Sequence, residues 1–141
     1  LAELTHDPID TQRMLATATT AATGATLLFL GTTRQWTHGR ETLWLTYEAF
    51  CEMALEKLRE LEAQARARWP LVSCQITHRL GRVDVGEASV AIVVSSPHRH
   101  DAFVAGEWLI DTLKQVVPIW KEEHWSDGST AWVHPGEERR V

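Results

Sequence analysis

The stretch SSPHRHDAFVAGEWLIDTLKQVVPIWKEE, residues 95–123, decides how this chain is read. Pro97 suits a helix first turn, and Ala102, Phe103, Gly106, Leu109, Ile110 and Leu113 recur at helical spacing to about Val116 before Pro118 ends the run. His98 and Arg99 then sit at a helix start, where unpaired amides and the helix dipole favour negative charge and an arginine adds bidentate recognition of phosphate or carboxylate. The plainer alternative is that His98 caps the helix and Arg99 makes a surface ion pair. Lys114, beside Leu113, has a stem that can be buried while its amine reaches a pocket; its plainer role is to complement the helix dipole. Lys121 follows Trp120, a wall against water, and Glu122 and Glu123 supply carboxylates for orientation or proton transfer; otherwise Lys-Glu-Glu is a solvated edge.

Working outward, residues 88–95 are nearly all apolar and read as a central strand, preceded by a strand over 72–79, with Gly81 and Gly86 between them. Residues 49–68 form an amphipathic helix with Phe50, Ala54, Leu58, Leu61 and Ala65 on one face. Residues 25–32 read as a buried strand. Leu43, Leu45 and Tyr47 mark a second strand, expected to pair antiparallel with the first across the polar loop 33–41. Arg34, in that loop, can enter the same site as the lysines if its strand lies beside the one ending at Ser95. A short helix over 11–20, capped by Asp10 or Thr11, precedes all of this, and residues 119–125 and 130–134 pair as a hairpin across Ser126-Asp127-Gly128. The order αββαββαββ predicts an α+β fold: a mainly antiparallel sheet, two long helices packed on it, one short N-terminal helix and a C-terminal hairpin, all in a single domain over 1–141.

Composition sets the limits. A chain of 141 residues, 44% hydrophobic, can bury one core. With a formal charge of -5 and 14 scattered basic residues, neither a nucleic-acid groove nor a polybasic membrane patch is expected, so an anion must be met locally. No apolar run reaches the roughly 20 residues of a membrane span, and a cytoplasmic protein is expected. Cys51 and Cys74 lack Cys-x-x-Cys spacing and read as small buried hydrophobes. His98-Arg99-His100 starts a helix rather than a strand and no carboxylate or Cys completes a zinc set, so no metal is expected. Dinucleotide, P-loop and esterase motifs are absent from the sequence, and seven tryptophans point to packing or interface surface.

These residues resemble the large, catalytic subunits of molybdopterin synthase, the MoaE family. The match runs from Asp7-Pro8-Ile9 through Gly24-Ala25, Phe29-Leu-Gly-Thr-Thr-Arg34, Leu45-Thr-Tyr-Glu48, Arg68-Trp-Pro70 and His78-Arg-Leu-Gly81 to Trp132-Val133. Its most specific parts are Ser96-Pro-His-Arg-His-Asp-Ala-Phe103, Trp108-Leu-Ile-Asp-Thr-Leu-Lys114 and Val117-Pro-Ile-Trp-Lys-Glu-Glu123. The resemblance implies a sulfurtransferase that converts cyclic pyranopterin monophosphate to molybdopterin, without a metal or organic cofactor of its own. The sulfur comes from the C-terminal Gly-Gly thiocarboxylate of a small ubiquitin-like partner, in a heterotetramer built around a dimer of large subunits. It also implies that Lys114 and Lys121 are catalytic, that Arg34, His98 and Arg99 hold the substrate anion, and that Thr32, Thr33, Glu122 and Glu123 line the site. The family commonly has an arginine shortly after Trp-Val; here residues 134–138 intervene before Arg139 and Arg140, and the loop 35–39 also differs from the family's usual polar loop.

Elementary electrostatics fits this assignment. A cyclic phosphate and a thiocarboxylate repel each other, and a site that joins them needs preorganised cations. Lys114 is then the group nearest the thiocarboxylate, and Lys121 assists proton movement at the pterin. The rival reading is a non-catalytic module that grips an acidic Gly-Gly tail in the same pocket; a histidine-metal hydrolase is a third.

Overall fold

The apolar run that ends at Ser96 is covered on both faces. In the computed structural model, which describes residues 1–134, β7 (Ala88–Ser96) lies between two antiparallel neighbours, β2 (Ala25–Thr32) and β5 (Ser73–Arg79). Val90, Ile92 and Val94 point into the main core, whereas Ala91 and Val93 pack against Met14 and Ala18 of α1 (Thr11–Ala18). A strand buried on both faces has no polar side to alternate with, which is why this one reads as continuous hydrophobic sequence. The helix α1 is capped as expected, Arg13 N donating to Asp10 Oδ1 at 3.0 Å. A fourth strand missing from the sequence reading, β1 (Ala2–Thr5), joins β5 in parallel.

The remaining strands form a second sheet in the order β3 (Trp36–Thr37), β4 (Arg40–Ala49), β8 (Ile119–Trp125) and β9 (Thr130–Val133), with β6 (Gly81–Asp84) also pairing with β4. The α+β class and both terminal strands hold, but the expected pairing of β2 with β4 does not. The residues between them are no simple hairpin loop. They contain a tight turn of their own, with His38 at φ 50° and Gly39 at φ 76°, which reverses β3 into β4 and sends β4 to the other sheet. There it meets β8 antiparallel, with Tyr47 opposite Lys121 and Leu45 opposite Glu123.

Two long helices, α2 (Cys51–Arg68) and α3 (Arg99–Val116), pack against each other; α3 covers β7 and β2, while α2 lies on β5 and β1. The predicted stripes Ala54, Leu58, Leu61, Ala65 and Ala102, Gly106, Leu109, Ile110, Leu113 are buried. Each buried leucine contributes roughly 1.5–3 kcal/mol of transfer free energy. Phe50 is the exception on α2: it precedes the helix with an extended backbone, is 64% exposed and sits edge-on to Trp120. Phe103 is likewise exposed. Cys51 corrects the expectation of a buried thiol: it lies in the first turn of α2, ahead of the buried stripe that begins at Ala54, and is exposed. Cys74 is buried as expected, and burial pushes its thiol up to about 11, so it is inert.

The approach of β2 to the start of α3 is tight. Gly24 N donates to the Ser96 carbonyl at 3.0 Å, and a Cβ on Gly24 would stand 2.1 Å from the Pro97 carbonyl oxygen. Only glycine permits this contact, which fixes where His98 leaves the sheet. At the other end of α3, His134 Nε2 donates to the Val117 carbonyl at 3.0 Å, tying β9 to the helix exit. Arg139 and Arg140 lie outside the described residues.

Candidate active site

Where the end of β2, the inner faces of β4 and β8, and the last turns of α3 meet, they enclose a cavity of about 360 Å³. Three cationic side chains, Arg34, Lys114 and Lys121, line it against one carboxylate, Glu123. Strand alternation places Lys121 and Glu123 on the same face of β8, and the register with β4 sets Tyr47 beside Lys121.

Lys121 is only 8% exposed, and its Nζ lies 3.4 Å from Glu123 Oε1. Burial holds its pKa below the usual lysine value; Glu123 opposes this by charge and hydrogen bond, and the nearby charges of Lys114 and Arg34 lower it further. An amine biased this way yields a proton more readily than a surface lysine. Tyr47 also lines the cavity, its phenol pushed up by burial and by the charge of Glu123, with the Ser89 hydroxyl acting in the opposite sense. His78 is buried and pushed down to about 4, chiefly by desolvation and secondarily by Lys114, against a hydrogen bond to the Arg79 carbonyl. Thr33 Oγ1 is buried without a hydrogen-bond partner among the described residues, beside the cavity that Thr33 lines.

Of the residues singled out from sequence, Thr32, Thr33, Arg34, Lys114, Lys121 and Glu123 share this cavity. Glu122 points to the opposite face of β8, where its Oε1 meets His124 Nε2 at 2.9 Å; a neighbour of two inward residues on a strand must face outward. His98 and Arg99 do not line the cavity of their own chain. They are exposed at the first turn of α3, about 22 Å from Lys114 at 1.5 Å rise per residue. His98 precedes the helix with extended backbone and makes no side-chain cap bond, so the capping alternative also fails. The sequence reading gave no role to Tyr47, His78 or Ser89, all of which line the cavity. Tyr47 was visible as the chain's one tyrosine and His78 as an imidazole inside a strand, but what they face depends on how β4 and β5 are brought together.

Among the described residues no three His, Cys, Asp or Glu side chains are arranged to hold a metal, and no helix is long and apolar enough to cross a membrane.

An α+β fold that gathers three cations, one of them a partly desolvated lysine, around one cavity is built as a group-transfer enzyme for anionic reactants. The chain belongs to the MoaE family: the family model described as "MoaE protein" matches residues 4–116. A molybdopterin synthase catalytic subunit from Bacillus subtilis (strain 168) is 44% identical over 131 residues, 93% of this chain and 83% of that protein. The crystal structure of molybdopterin synthase from Staphylococcus aureus superposes with a TM-score of 0.88 at 38% identity, covering 93% of this chain and 95% of that one. A chain from the complex of subunits 1 and 2 of molybdopterin-converting factor from Helicobacter pylori shares the fold at 20% identity, with a TM-score of 0.76 and coverage of 97% and 91%.

Proposed function

We propose that this protein, acting as one catalytic domain in the cytoplasm, converts cyclic pyranopterin monophosphate to molybdopterin. Each of the two dithiolene sulfurs comes from the C-terminal thiocarboxylate of one copy of a small ubiquitin-like subunit whose tail enters the cavity, so two loaded copies are used in turn. The observation that carries this reading is the convergence of Arg34, Lys114 and Lys121 on one cavity in a chain whose net charge is -5. Such a concentration of positive charge offsets the repulsion between a phosphate and a thiocarboxylate.

In this reading Arg34 holds the phosphate as a bidentate donor. Lys114 stands nearest the thiocarboxylate and stabilises charge as its sulfur bonds to a side-chain carbon of the pterin and an oxygen substituent leaves that carbon; water then cleaves the acyl–sulfur bond to leave a carboxylate and the new thiol. Lys121, biased toward deprotonation and oriented by Glu123, moves protons at the pterin. Thr32 and Thr33 supply hydroxyls. His98 and Arg99, remote from the cavity in their own chain, serve as anion-binding groups only if a second copy presents them, which makes the working unit a dimer of this chain flanked by two small subunits. No metal or organic cofactor takes part.

The test is mass spectrometry of the pterin after mixing protein, substrate and thiocarboxylated partner. The reading predicts a product with two added sulfurs; partner binding without a mass gain would leave a tail-binding module instead.

A further inference from the structure

One side chain of the cavity has chemistry that these roles leave unused. His78, on β5, is 3% exposed and lines the cavity together with Tyr47, Ser89 and Lys114. Its Nδ1 donates to the Arg79 carbonyl at 2.8 Å, which places the proton on Nδ1 and the lone pair on Nε2. The ring packs edge-on against Tyr47, centroids 5.0 Å apart, so its orientation is held. Among the described residues no hydrogen bond reaches Nε2. Burial and the charge of Lys114 keep the imidazole neutral at physiological pH. The cavity's three cations only donate, its one carboxylate is engaged by Lys121, and the hydroxyls of the wall rotate and can donate as well as accept. A neutral, fixed acceptor is therefore a distinct component.

We propose that His78 is a substrate-binding residue that accepts, through Nε2, a hydrogen bond from an N–H of the reduced heterocycle, selecting the pterin part of the ligand while the cations take its anionic part. This rests on the sulfur-transfer reading above. Neutrality is essential to it. A protonated ring would become a donor and a fourth cation, drawing the phosphate into the place of the heterocycle. Tyr47 and Ser89 extend the same uncharged, hydrogen-bonding wall.

The test uses two separate probes, unphosphorylated tetrahydropterin and inorganic phosphate, titrated calorimetrically into the wild type, His78→Leu and His78→Gln. Loss of the acceptor leaves a ligand donor unpaired, so His78→Leu should bind tetrahydropterin roughly tenfold more weakly with phosphate affinity unchanged. His78→Gln, which keeps an acceptor oxygen, should retain most of the affinity. Nitrogen NMR of the wild-type protein avoids any folding defect: tetrahydropterin should move the His78 Nε2 resonance upfield. An unmoved resonance, wild-type affinity in His78→Leu, parallel loss of both probes, or no tetrahydropterin binding by the wild type would overturn the proposal. Failure of sulfur transfer with the resonance still moving would instead remove the underlying reading alone.

Discussion

Lys121 and Glu123 face the cavity from alternate positions of one strand, their charged ends 3.4 Å apart and their side chains only 10% and 14% exposed. Removing the carboxylate takes a close counterion away from Lys121 in a largely dry place. Glu123→Gln should therefore cost about 1.5–3 kcal/mol of stability at pH 7, the worth of a hydrogen bond to a charged group. The pH dependence follows from the lysine. Its folded pKa lies below 10.5 and falls further without Glu123, so above that pKa the unfolded chain binds more protons and raising the pH relieves the penalty. Urea unfolding of both proteins should show the gap narrowing between pH 7 and pH 10; a constant gap would mean the pair is not coupled.

His78 makes stability sensitive to acid. Its folded pKa of about 4 lies below the ordinary 6.5, so the unfolded chain takes up a proton first as pH falls. The stabilisation is complete above 6.5, declines below it and is gone once pH drops through about 4, a loss of about 3 kcal/mol. Unfolding at pH 7 and pH 4.5 should show a steeper loss for the wild type than for His78→Gln. Equal losses would show that the imidazole is not the group responsible.

Arg34 is assigned to the anion rather than to the chemistry. Arg34→Ala should raise KM for the phosphorylated substrate roughly tenfold or more while changing kcat less, the signature of lost binding rather than lost transition-state stabilisation. Steady-state kinetics checks this; a fall in kcat at constant KM would move Arg34 into the reacting centre.

The distance of His98 and Arg99 from their own cavity gives a complementation test. At substrate concentrations well below KM, Lys114→Ala and Arg99→Ala should each be strongly impaired alone, yet co-expressed they should recover about a quarter of wild-type activity, because half of the dimers hold one site with both residues intact. No recovery above the separate variants would place the two residues outside the site.

Legibility from sequence followed the range of the interactions involved. Both long helices, with their buried stripes, were readable because helical periodicity is local, and β7 because a strand covered on both faces is apolar throughout. The strands β1, β3 and β6 were not, being two to four residues long and defined by partners far along the chain. The same limit applied to the site. Arg34, Lys114 and Lys121 were named from motifs, but their meeting depends on β4 leaving β2 for β8, which a left-handed pair at His38 and Gly39 brings about. Glu122 and Glu123 looked alike in sequence and were separated only by strand alternation.

The central claim is that Lys114 serves sulfur transfer at this cavity. Lys114 is exposed, so Lys114→Ala should fold with stability within about 0.5 kcal/mol of the wild type. The decisive measurement is single-turnover product mass with thiocarboxylated partner bound at wild-type affinity. The account predicts that the variant forms the sulfurated pterin slower by a factor on the order of a hundred or more; formation at the wild-type rate would contradict it.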